Sequence, residues 1–141
     1  HNASVLDLEI VTQFFFEADP FIKWDALLDT IGVTLPVRVG FPGPATFKTL
    51  LNFGLMSGVG NSLNFLKKNS NKIGDLLVKT SNDKLLIELV TASKSSKIGR
   101  PNGFHCYPFG GFEKTCYWLT AIQNGDFIVE NEKLVFHKKI F

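Results

Sequence analysis

Between Leu6 and Phe16 the apolar side chains fall mainly on even positions (Leu6, Leu8, Ile10, Phe14, Phe16), while Asp7, Glu9, Gln13 and Glu17 take odd ones. That period of two predicts a half-buried strand. Asp19 followed by Pro20 supplies an N-cap with proline at the first helical position. Phe21, Trp24, Leu28 and Ile31 then recur every three to four residues, and Gly32 ends the helix they predict. Val33 to Phe41 reads as a short strand. Pro36 interrupts it and cannot donate to a ladder, which assigns the strand to a sheet edge. Pro42-Gly43-Pro44 turns the chain.

From Val39 to Leu66 the single charge is Lys48, amid Phe41, Phe47, Phe53, Met56, Phe65 and several leucines. Gly40, Gly43, Gly54, Gly58 and Gly60 weaken any helix there by up to about 1 kcal/mol each relative to alanine. Packing must therefore supply the order, and the segment is expected to lie beneath other elements or against another molecule. Asn52, Ser57, Asn61, Ser62 and Asn64 make it a poor spanning helix, so no transmembrane segment is expected.

Residues 75–80 and 84–90, separated by Ser81-Asn82-Asp83, predict a β-hairpin. Ser93 to Gly103 follows as a polar linker. Thr115 to Gln123, Phe127 to Glu130 and Leu134 to Ile140 predict three strands, with Asn124-Gly125 the strong hairpin turn and Asn131-Glu132 the weaker one. Phe104 to Phe109 is expected to pair with Cys116 to Leu119. The resulting expectation is one α+β domain over 1–141, with an N-terminal strand and short helices packed on a C-terminal antiparallel β-meander.

Composition narrows the function classes. The 141 residues, 45% of them apolar, suit one globular core, and the net charge of +2 is too small to steer the whole molecule onto a polyanion. The charge is uneven, however. Residues 1–31 hold six acidic groups and one basic, and residues 32–74 hold five basic and no acidic. Fourteen Phe exceed what a core of this size needs and point to a pocket or an apolar surface. The sequon Asn2-Ala3-Ser4 directly after His1 suggests a secreted, glycosylated chain. Cys106 and Cys116 are spaced for a disulfide closing a hairpin, worth about 2 to 3 kcal/mol if unstrained.

Several groups could carry chemistry. His105 and His137, with Lys138 as the cation, could act as base, acid and phosphate stabiliser in a small ribonuclease-like or toxin-like enzyme. His1, through its α-amine and imidazole, could join another histidine around copper, but no surrounding motif supports such a site, and neither metal nor cofactor is expected. Cys116-Tyr117-Trp118 resembles the cysteine opening a helix in papain-like peptidases, where the helix N-terminus activates the thiol. Here the flanking β-branched and aromatic residues predict a strand, so Cys116 is assigned to structure. Lys94, Lys97 and Arg100 lie on the polar linker, where they could touch a polyanion, whereas Asp25 and Asp29 are expected on the solvated face of their helix. The leading expectation is a secreted binding module that recognises an apolar small molecule or a protein partner, with Phe47, Phe53, Met56, Phe65, Trp118 and Phe136 lining the site. The histidine enzyme is one alternative, and a membrane-interacting protein acting through residues 39–66 is the other.

Overall fold

A computed structural model describes residues 6–58, 79–80, 82–96 and 99–139. Its main sheet has three parallel strands in the order β1 (Ile10–Phe14), β2 (Val37–Pro42) and β5 (Gly103–Tyr107). Helix α1 (Ala18–Thr30) joins β1 to β2. Between β2 and β5 come β3 (Ala45–Thr46), α2 (Phe47–Met56), β4 (Lys79–Thr80) and α3 (Asp83–Ser95). Helix α4 (Phe112–Gln123) and the antiparallel hairpin of β6 (Phe127–Glu130) and β7 (Lys133–Phe136) follow β5. The strands are thus alternated with helices, as parallel pairing requires.

Helices α1, α3 and α4 share one face of the sheet. Val37, Val39 and Phe41 of β2 meet Phe21 and Leu28 of α1, Leu85, Leu86 and Leu89 of α3, and Trp118 of α4 in one core. A second core gathers Phe14, Phe16, Ala45, Phe47 and Leu50 at the C-terminal ends of the strands, where α2 begins. At the opposite end a buried ion cluster ties the chain entering β5 to α1. Arg100, whose side chain is fully buried, meets Asp25 (Nε to Oδ1, 2.5 Å) and Asp29, and donates to the carbonyl of Val33 (2.8 Å).

The strand at residues 10–14, the helix over Phe21 to Leu28 and the C-terminal hairpin follow the sequence pattern, but the meander does not form. Its first predicted strand, Thr115 to Gln123, is α4, because Thr115, Trp118, Leu119 and Ile122 keep the i, i+3, i+4, i+7 spacing of one helical face. Asn124-Gly125 therefore caps a helix. Gly125 takes a φ of 70°, and the Asp126 amide donates to the Ala121 carbonyl, a Schellman arrangement. The hairpin turn is Asn131-Glu132, both at positive φ as a two-residue turn demands.

Residues 84–90 belong to α3 instead of a hairpin strand, and residues 75–78 lie outside the described part. β2 is the central strand, because Pro36 precedes the ladder and Pro42 ends it, so neither breaks it. β5 pairs in parallel with β2 and not with residues 116–119.

Candidate functional site

Alternation along the strands splits the sheet residues between two faces. The face turned from α1, α3 and α4 is laid out in three rows by the register. Val11, Arg38 and Gly103 form the first, Phe14, Gly40 and His105 the second, and Pro42 and Tyr107 the third. A bulge separates Val11 from Phe14. Val11 pairs with Arg38 but Phe14 pairs with Gly40, so β1 carries an extra residue over the same length of β2. Gly40 makes room for it, since a Cβ there would stand 2.5 Å from the Thr12 carbonyl oxygen.

Polar groups populate this face. Arg38 pairs with Glu9 (2.7 Å) through Nε, and both side chains remain about half exposed. His105 is exposed and stands edge-on to Tyr107, with ring centroids 4.8 Å apart. Tyr107 reaches over β2 to donate its hydroxyl proton to the Thr12 carbonyl (3.2 Å). Beyond it Phe14, Tyr107, Phe109 and Phe53 form a chain of ring contacts that closes the C-terminal end of the face. A cation, an imidazole and a phenol ring thus share one surface ending in an aromatic wall. That set can hold a planar ring by stacking and an anionic group by charge.

The structure separates most residues singled out from the sequence. His105 stands on the face turned from α1, α3 and α4, whereas His137 follows β7, whose Phe136 packs on the helix-side core. The two imidazoles and exposed Lys138 therefore form no common site. Of the expected pocket, Phe47 is buried in the second core, Phe53 stacks on Phe109, and Met56 points into solvent. Trp118 is buried in the helix-side core and Phe136 packs against it. Phe65 lies outside the described residues, as do Lys97, Asn2 and His1.

The shelter expected for residues 39–66 holds for β2, β3 and the start of α2 but fails at Leu55 and Met56, which are exposed, and residues 59–66 lie outside the described part. Among the described residues no helix is long and apolar enough to cross a membrane. Lys94 is exposed, but Arg100 is committed to Asp25 and Asp29 and offers nothing to a polyanion. Asp25 is buried, contrary to the solvated position expected of it. Burial pushes its carboxyl above the ordinary range, Arg100 opposes that and Asp29 adds to it.

Cys106 and Cys116 are free thiols, one on a strand and one on a helix, so the expected hairpin staple is absent. Burial, with Cys116 adding to it, pushes the Cys106 thiol up to about 12, which is the opposite of an activated nucleophile. Cys116 lies in the second turn of α4, away from the helix N-terminus. Among the described residues no three His, Cys, Asp or Glu side chains converge as a metal site.

Sequence reasoning did not find Arg38 or Tyr107. Their grouping depends on a parallel register between segments up to about ninety residues apart, and the sole local hint was the alternation within each strand. No known protein-family model matches the chain.

Proposed function

We propose that this protein binds a planar, nitrogen-containing heteroaromatic molecule bearing a phosphate or carboxylate, on the polar part of the sheet face turned from α1, α3 and α4, beside the second core. The observation that carries this reading is the polarity of that face. Parallel sheets are normally covered on both sides and read as apolar on both, yet here Arg38 of the central strand and His105 of β5 stand open, while the second core covers the C-terminal end of the same face through Phe14 and Tyr107. In α/β folds the ends of parallel strands toward which the chain runs are the usual ligand positions, and here that end carries the aromatic wall. This support is fold-level analogy, and the chemistry of the side chains adds to it. Arg38 would take the anionic group, and Tyr107 with His105 would flank the ring plane.

Thermal-shift and calorimetric titration of the full chain with adenosine monophosphate, flavin mononucleotide and folic acid tests the reading. At least one of these heterocyclic anions should bind saturably, and Arg38→Ala and His105→Ala should each weaken it without changing the circular-dichroism spectrum. Absence of binding by all three probes, or binding indifferent to both substitutions, would refute it. The apolar-ligand expectation concerns the other side of the sheet.

A further inference from the structure

On the helix side a cavity of about 540 Å³ opens between the sheet, α3, α4 and the hairpin. Its floor is Phe41, Phe104 and Cys106, and its flanks are Val90 of α3 with Trp118 and Ile122 of α4. The hairpin closes one side through Phe127, Val129 and Leu134. These three occupy one face of the hairpin, since Val129 pairs with Leu134 and Phe127 with Phe136, while Ile128 and Val135 face away.

Phe104 and Val90 belong to elements packed around this layer, where such residues are ordinarily buried, yet both are exposed. The space between the elements is therefore open, and the side chains around it do not fill it. No charged side chain lines the cavity, and the amide of Gln123 is its single polar side chain besides the thiol. The rings of Phe41, Phe104, Trp118 and Phe127 come from four different elements.

We infer that this cavity is a second ligand site, for an uncharged aromatic small molecule. Volume places it within the range of about 300–1,000 Å³ typical of small-molecule sites. The lining decides the chemistry. A carboxylate or ammonium enclosed there would lose its hydration and find no counter-charge, whereas a flat apolar ring meets aromatic surface on several sides. The hairpin is suited to admit it, because polar contacts attach its turn and β7 to the start of α3. The Leu134 amide donates to Asp83 (3.0 Å) and Lys84 pairs with Glu132 (3.1 Å). Leu134 and Phe136 then reach the core, and Phe127 and Val129 of the same face are left against the cavity.

The neutral fluorophore N-phenyl-1-naphthylamine is the probe, titrated into the full chain. A saturable rise in its emission is expected. Val129→Trp and Val90→Trp, both at exposed positions on different elements, put an indole into the opening and should weaken the probe by about ten-fold or more. Val135→Trp, on the outer face of the hairpin, should leave it unchanged. Thermal melts check that each variant folds. No saturable rise, or equal weakening by Val135→Trp and Val129→Trp, overturns the inference. So does a probe that binds only after a dimer is diluted apart, because a second copy of the chain would then be the occupant. Competition by adenosine monophosphate would also count against a separate site, since that ligand belongs to the opposite face.

Discussion

Replacing Arg100 with methionine removes, among the described residues, the cation that pairs with Asp25 and Asp29. The Arg100 side chain has no exposed surface, Asp25 keeps about a tenth of its own, and the Val33 carbonyl loses the donor it has now. Breaking a buried pair by deleting one partner typically costs about 3–5 kcal/mol, because the remaining charge is left uncompensated. Asp29, about one-third exposed, is partly hydrated and contributes less to that cost.

Urea denaturation at pH 7 should therefore show Arg100→Met losing about 3–5 kcal/mol, and adding Asp25→Asn should recover about half of the loss. The pH dependence gives the sharper test. In Arg100→Met the influence that lowers the Asp25 pKa is gone, while burial and Asp29 still raise it. A carboxyl whose folded pKa lies above its unfolded value favours folding when protonated and disfavours it when ionised. The deficit of the variant should then shrink as pH falls from 7 towards the ordinary carboxyl value of 3.8. A deficit below about 1 kcal/mol at pH 7, or one that does not change with pH, would refute a buried charge cluster.

Gly110→Ala should destabilise the chain by about 2 kcal/mol or more, as overpacking against backbone does, because a Cβ there would run into the Pro44 carbonyl; a wild-type melting temperature would contradict that close approach. Leu89→Ala, at a fully buried position of α3, should cost about 2–5 kcal/mol by urea denaturation, and a loss under about 1 kcal/mol would mean that α3 does not pack as described. The Cys106 thiol sits at about 12 in the folded chain against 9.0 for the free group. Ionisation in the unfolded chain alone should lower stability as pH rises from 9.0 towards 12. Cys106→Ala should flatten that alkaline slope in denaturation curves, and an unchanged slope would assign it to other groups.

Features written locally were legible. The apolar spacing from Phe21 to Leu28 marked α1, but the helix opens at Ala18 with Glu17 at the N-cap, so Asp19 and Pro20 sit in its first turn instead of capping it. Alternation over residues 6–16 gave β1. What misled were residues whose local preference and tertiary use differ. Tyr117 and Trp118 favour strands, but Thr115, Trp118, Leu119 and Ile122 keep helical spacing, and packing on the sheet decides between them. Asn124-Gly125 provides a positive φ that serves a helix end as well as a hairpin. Pro36 marked an edge only under the assumption that it lay inside the ladder.

The candidate site was less legible than the fold. His105 could be named from the sequence, but its neighbours could not, because Phe14, Gly40 and Tyr107 come together through pairing across distant segments. Arg100 illustrates the same limit. Its carboxylate partners are 71 and 75 residues away, so a buried anchor looked like part of a basic loop.

The ladder that joins β1 to β2 links residues 27 apart, as Ile10 with Val37, whereas the ladder from β2 to β5 links residues 65 apart, as Arg38 with Gly103. Closing the longer loop costs more chain entropy and is rewarded later, so the first βαβ unit should assemble ahead of β5. Until β5 arrives, the apolar row of Val37, Val39 and Phe41 has lost its second neighbour strand and the cover of α4. During synthesis or refolding, that uncovered middle strand is the surface on which two incomplete chains would stick together.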